Sequence, residues 1–367
     1  MKTLHIIDHF GLGGAQRIVA GMLDALPDAM LLPLRQKGSP ADQIAVPAHQ
    51  VLLPPVRNRF WQLLRLLKIP RIISQQSFAI VHCHLLAGWL FGLWLHVALP
   101  ARRKPRLIFH EHDSINLGRW YYPWLAGAAQ RAGVLVAVSR FIQQQMAARD
   151  IPLEAIRLLH NFVDLEHFTP GAAPDPACFG LAPQRAQASR LVGFAGRLVA
   201  QKGWQYFLEV ADRLRAHNIR FLIAGDGRDA GKLARQVEAL KLADRVFWLG
   251  YVGDMRDFYR LIDLLVITSE RESFGLVQLE AQACGVPVIL FENQAAWELH
   301  GAQSTVIISY GDTAALAGQI IHLLEDQQAY HRLVEKGLHN AREYSRSAFL
   351  SRLADIYRDA VNEQRNR

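Results

Sequence analysis

The chain has few cysteines, a long stretch without acidic residues, and no apolar run long enough to cross a bilayer. Cys83, Cys178 and Cys284 are the only cysteines in 367 residues. They form no CxxC pair and no zinc-ligand spacing, which excludes a disulfide-stapled scaffold and predicts free thiols in a reducing compartment. The apolar segment Leu85–Leu99 is 15 residues long and contains His96, so it reads as a buried or interfacial helix and not a span. Met1-Lys2-Thr3 runs directly into Leu4–Asp8. That is too short for a signal peptide and reads as a first strand. Low-complexity tracts and internal repeats are also absent, which argues against a solenoid.

Acidic residues are missing from Ile44 through His110, where Arg57, Arg59, Arg65, Lys68, Arg71, Arg102, Arg103, Lys104 and Arg106 all occur. Residues 1–170 hold 18 Lys/Arg against 10 Asp/Glu, whereas residues 171–367 hold 23 of each. The whole net charge of +8 therefore belongs to the N-terminal half. This predicts an anionic partner there. Val56–Ile73 mixes five of these cations with Phe60, Trp61 and leucines, the composition of a helix lying on an anionic leaflet or of a covering helix with a solvated basic face.

The rest of the pattern is alternating. Strands are expected at Leu4–Asp8, Ile80–His82, Leu107–His110 and Val134–Val138, with a first helix whose Ile18, Val19, Met22, Leu23 and Leu26 share one face. The stretch from Thr169 to Pro176 has linker composition. A second series follows at Leu191–Ala195, Phe221–Ala224, Val246–Leu249, Leu264–Thr268 and Val286–Phe291, and a last helix is expected at Ser347–Asn362. The expected fold class is α/β, with two Rossmann-like domains, 1–170 and 171–346, facing across a cleft.

Three clusters carry chemistry. Gly11-Leu12-Gly13-Gly14-Ala15 links the first strand to the first helix, where glycines and a helix start favour an anion or simply form a tight turn. Gly196-Arg197-Leu198 with Lys202-Gly203 follows a strand end, and its two cations suit a diphosphate leaving group or ordinary solvation. In Ser269–Ala281, Glu272 and Glu280 stand before and within a helix that Ser273 is expected to cap and Gly275 and Leu276 to open. His82 and His84, one residue apart, invite a metal reading, but structural or acceptor-side roles are preferred.

Taken together these motifs resemble glycosyltransferase family 4, whose retaining enzymes have the two-domain fold called type B. The likeness runs through Gly13-Gly14-Ala15, Val81-His82-Cys83-His84, Ala137-Val138-Ser139, Asn161–Asp164, Gly196-Arg197-Leu198, Ala224-Gly225-Asp226-Gly227 and Leu249-Gly250-Tyr251-Val252 to the paired glutamates. It implies that the last helix crosses back onto the N-terminal domain. It assigns Gly14, Arg197, Lys202, Gly250, Tyr251, Val252, Gly275, Leu276 and Glu280 to the nucleotide-sugar donor, with Glu272 at the sugar or phosphate end. His110 becomes the active-site histidine, with Glu111 and His112 as its rivals, and Arg57, Arg59, Trp61, Arg65 and Lys68 face an acceptor or membrane. The chain contains no Asp-x-Asp, so the expectation is transfer without a metal or other cofactor.

The expected partners are a nucleotide sugar, a glycan or lipid-linked acceptor and an anionic membrane surface, not nucleic acid. The expected location is cytoplasmic, at the inner face of the membrane. A nucleotide-sugar epimerase and a non-catalytic anion binder are the alternatives. Asn293–Glu298 and Gly301–Ser304 depart from the family's glycine-rich turns, and Phe162 stands where a glycine is common; the first of these changes bears on the donor sugar.

Overall fold

The computed structural model describes residues 1–11, 13–35, 44–54, 67–113, 118–181 and 190–365. The chain divides into two compact units, Met1–Phe162 with Arg346–Arg367, and Val163–Ser345. The division falls ahead of Thr169–Pro176, which belongs to the second unit. There Arg260 Nε donates to the Thr169 carbonyl at 2.9 Å and Phe168 packs on Tyr259. The ends of that unit meet where the Val163 amide donates to the Tyr344 carbonyl at 2.9 Å.

The first unit is a parallel sheet of β1 (Thr3–Ile7), β2 (Ala29–Pro33), β3 (Ile80–His84), β4 (Arg106–Glu111), β5 (Gly133–Ala137) and β6 (Ile156–Leu158), in the order β2-β1-β3-β4-β5-β6. β1, β3 and β4 are buried along their whole length, as a sheet covered by helices on both faces requires. The helix Gly14–Ala25 buries Ile18, Val19, Met22 and Leu23, the face its periodicity predicts. Leu85–Ala98 is also a helix, and among the described residues no helix is long and apolar enough to cross a membrane. The last helix, Arg346–Arg365, buries Phe349, Leu353, Ile356, Tyr357 and Ala360 within this first unit. Arg57, Arg59, Trp61 and Arg65 lie outside the described residues. Lys68 is exposed, just before the helix Ile69–Gln76.

The second unit repeats the plan with β7 (Arg190–Ala195), β8 (Ile219–Ala224), β9 (Val246–Gly250), β10 (Leu264–Ile267), β11 (Val288–Phe291) and β12 (Val306–Ile308), in the order β12-β11-β10-β7-β8-β9, all parallel. Trp204, Phe207, Phe221 and Phe291 fill one side of this sheet, and Phe258, Tyr259, Leu265 and Val288 the other. Each such large side chain contributes roughly 1.5–3 kcal/mol by leaving water.

In each sheet the strand order reverses at one point, between β1 and β3 in the first and between β7 and β10 in the second. Crevices at the carboxyl ends of strands beside such reversals are where open α/β sheets bind ligands. The glycine cluster follows β1, and Arg197 and Lys202 follow β7.

Candidate active site

In the second unit, three loops converge at the carboxyl end of β7. The Thr268 hydroxyl donates to the carbonyls of Lys202 at 3.1 Å and Gly203 at 2.8 Å, and the Glu270 amide donates to the Gln201 carbonyl at 2.9 Å. Gly203 has φ +68, and a Cβ there would stand 2.1 Å from the Thr268 carbonyl oxygen. At Gly225, with φ +141, a Cβ would stand 1.9 Å from the Gly196 carbonyl oxygen. Only glycine lets these loops approach so closely.

Lys202 Nζ donates to Glu272 Oε1 at 2.5 Å, with both side chains mostly buried. Arg197 is exposed beside them in sequence, and among the described residues no carboxylate pairs with it. The helix Leu276–Ala283 starts from Gly275 in the left-handed region. The N-cap position falls to Gly275, at φ +99, two residues after the expected cap Ser273. Glu280 lies one turn into this helix, buried, and accepts from the Tyr259 hydroxyl at 2.8 Å. At the end of β9, the Gly250 carbonyl accepts from the Gly225 amide at 2.7 Å, and Tyr251 is exposed next to half-buried Val252. The departure at 293–298 is a closed turn: Asn293 Oδ1 accepts from the amides of Ala295 and Ala296, both at 3.1 Å.

The first unit brings together five histidines that lie far apart in sequence. Register pairs His5 with His82 and His84 with His110, so alternate residues of β1, β3 and β4 point to one face. His5 Nδ1 lies 3.0 Å from His84 Nε2, and His84 Nδ1 lies 2.9 Å from His112 Nε2. The Tyr357 hydroxyl, on the last helix, lies 2.8 Å from His82 Nδ1.

Two trios, His5 with His82 and His84, and His84 with His110 and His112, hold nitrogens within 4.8 Å of one another. Ligands around one tetrahedral zinc sit roughly 3.3 Å apart. The spacing along His5–His84–His112 is shorter and is that of N–H···N hydrogen bonds. Burial drives all five below the ordinary imidazole range, His5 to about 4 and His112 to about 3, and their neighbours push His82, His84 and His110 further down. The cluster is therefore uncharged at neutral pH.

His110 is wholly enclosed, 0% exposed, with its ring under that of His112 at 4.1 Å between centroids. His112, one residue past the end of β4, is 9% exposed. Glu111 points to the opposite face, where its carboxylate accepts from the Tyr122 hydroxyl at 3.3 Å and burial lifts its pKa to about 8. Gly14 opens the helix after β1, with no side chain capping Gly13. His5 and Tyr357 are the members that the sequence motifs leave out. The signal for His5 is its even spacing from the strand end, which becomes readable only once the β1–β3 register is known.

Two doubly wound units, one carrying paired cations and glutamates at its strand ends and the other a histidine-lined strand end, define a sugar transferase of the type B architecture. Residues 12–167 match the family model Glycosyltransferase Family 4, and residues 182–339 match Glycosyl transferases group 1. The chain belongs to glycosyltransferase family 4 and is a glycosyltransferase. It is 28% identical to N-acetyl-alpha-D-glucosaminyl L-malate synthase of Bacillus anthracis, over 80% of this chain and 76% of that one. It is 36% identical to D-inositol 3-phosphate glycosyltransferase of Mycolicibacterium smegmatis, over 40% of this chain and 34% of that one. Among solved structures, Anabaena Alr3699/HepE in complex with UDP and glucose has the same fold, with TM-score 0.80 and 20% identity over 97% of this chain and 98% of that one.

Proposed function

We propose that the chain transfers a sugar from a nucleoside-diphosphate donor to a hydroxyl of a lipid-linked or cell-envelope glycan, with retention at the anomeric carbon and without a metal. The observation that carries this reading is the group of Arg197, the Lys202–Glu272 pair and the start of the helix Leu276–Ala283 at Gly275, all at the carboxyl ends of the second sheet. These groups supply positive charge where a leaving diphosphate develops negative charge. Glu280, buried one turn further on, suits the ribose hydroxyls.

In the reaction, the bond from C1 to the phosphate oxygen breaks, the acceptor oxygen bonds to C1 on the same face, and the departing phosphate takes the hydroxyl proton. Glu272 shares Lys202 with the incoming phosphate. His112, the more accessible of the two, is assigned to the sugar in place of His110. HepE is known in complex with UDP and with UDP-glucose, which makes uridine donors the first to test. The basic excess of residues 1–170 supports a phosphorylated or lipid-linked acceptor at an anionic membrane face. Family membership sets aside the epimerase and the non-catalytic binder.

The test is a thermal-shift screen against UDP-, GDP- and ADP-sugars, repeated with Glu280→Ala and with Arg197→Ala plus Lys202→Ala. A donor at a hundredfold its Kd should add about 2.7 kcal/mol to the wild type and nothing to the variants. Silence from a folded wild type toward every nucleotide overturns the donor site. With an active donor, NMR of the first-formed anomer tests retention, and undiminished turnover in EDTA tests metal independence.

A further inference from the structure

Two helices of the first unit present an apolar outer surface that the transferase chemistry does not use. Leu85–Ala98 connects β3 to β4 and Tyr122–Ala132 connects β4 to β5. Both connections step the same way across a parallel sheet. Right-handed crossovers then place both helices on one face, side by side. The Trp89 and Tyr122 rings, 6.0 Å apart, mark where they touch.

Gly88, Gly92 and Leu95 turn the first helix's inner side to the sheet. A Cβ on Gly92 would meet Cys83 Sγ. At 100° per residue, Leu90, Trp94 and Val97 then face directly outward, and all three are exposed. In the neighbouring helix Tyr122, Leu125, Ala126 and Ala129 are buried, which leaves Trp124 on the outer side. Val97 is 83% exposed, Trp120 85% and Trp124 80%. Cations border this surface: Arg119 at one end, and Arg102, Arg103, Lys104 and Arg131 at the other, all outside the core. No acidic residue occurs from 85 to 110 or from 118 to 149.

We infer that the outer face of the helices Leu85–Ala98 and Tyr122–Ala132 seats the protein on an anionic lipid leaflet, with Leu90, Trp94, Val97, Trp120 and Trp124 entering the headgroup region and the bordering arginines and lysine meeting lipid phosphates. Tryptophans with an apolar body and a polar N–H collect at that depth. The single sign of the border fits an anionic surface and opposes a second copy of the same face. A helix that is apolar on both its inner and outer sides needs a second apolar environment. A leaflet provides one without steric demands on a rigid partner.

This surface makes the membrane-proximal part of the reading above specific. Its test uses neither donor nor acceptor, so its failure leaves the transferase assignment standing. The full chain is floated with vesicles of phosphatidylcholine, and with vesicles in which part of that lipid is replaced by phosphatidylglycerol. The wild type should float with the anionic vesicles, less so as salt is raised, and remain behind with the neutral ones. Trp120→Ser with Trp124→Ser, and separately Arg102→Glu with Arg103→Glu, should each lower partitioning at least about tenfold, since one cation near such a surface accounts for about a fivefold change. Both variants alter exposed side chains and should keep the wild-type circular dichroism and melting temperature. The inference is overturned by wild-type-like flotation of both variants, by equal binding to both vesicle types, by no binding at all, or by a solution dimer that the tryptophan variant splits.

Discussion

Mild acid should destabilise the first unit well before carboxylate protonation becomes important. The perturbation is a shift from about neutral pH to about pH 5, and the responding groups are His5, His82, His84, His110 and His112, all buried without charge. Their folded pKa values lie below that of a free imidazole, so the unfolded chain binds more protons as pH falls through about 6.5. Stability conferred by the neutral cluster is complete above that value and is lost below it, down to about 4 for His5 and about 3 for His112. Each of these two, held neutral at about pH 5, costs the fold about 2 kcal/mol relative to a chain free to protonate it. The pair costs about 4 kcal/mol, and the other three act in the same direction, against a typical total of about 5–15 kcal/mol for a domain. Urea unfolding at both pH values, with hydrogen exchange reporting on peptides from β1, β3 and β4, measures the loss. His5→Gln should reduce the pH slope. An unchanged urea midpoint for these strands between the two conditions would refute the reasoning, because five buried neutral histidines cannot coexist with a flat profile.

Glu111 works in the opposite sense. Its raised pKa of about 8 means that the folded state holds a proton the unfolded chain releases, so stability falls as pH rises from about 4.5 to about 8. Glu111→Gln should therefore raise stability at about pH 8, by up to about 4 kcal/mol, visible as a higher Tm and a flatter alkaline limb. Gly225→Ala, which forces a Cβ against the Gly196 carbonyl at a left-handed φ, should cost at least about 2 kcal/mol and abolish nucleotide-induced stabilisation in a thermal melt. Glu272→Gln removes the charge that Lys202 faces at 2.5 Å. Calorimetry should show UDP bound at least as tightly as by the wild type, while sugar transfer falls by about a hundredfold or more.

Periodicity and motif order made most of this architecture readable. β1, β3, β4, β5 and β7 to β11 coincide with the apolar runs expected for buried parallel strands. β2, β6 and β12 went unmarked because two are only three residues long and the third, Ala29–Pro33, ends in proline, so none shows a period. The cation–glutamate cluster was legible because its members lie in three short contiguous motifs. Its helix opens at Gly275 and Leu276 as expected; its cap was not legible, since a serine and a left-handed glycine compete within two residues and only backbone geometry decides between them. The histidine cluster failed for a different reason. Residues 5, 82, 84, 110 and 112 become neighbours only through strand register, and Tyr357 reaches them only because the last helix returns to the first sheet.

That returning helix sets a timetable for synthesis. Residues 163–345 form a complete unit and can close as soon as they have left the ribosome, whereas residues 1–162, made first, wait for 346–365. At roughly 5–20 residues per second, the early half of the chain spends on the order of ten seconds or more with His82 open to water on the face that Tyr357 later covers. The older segment is thus finished last, and the nascent sheet is at its most exposed while its partner unit is already folded.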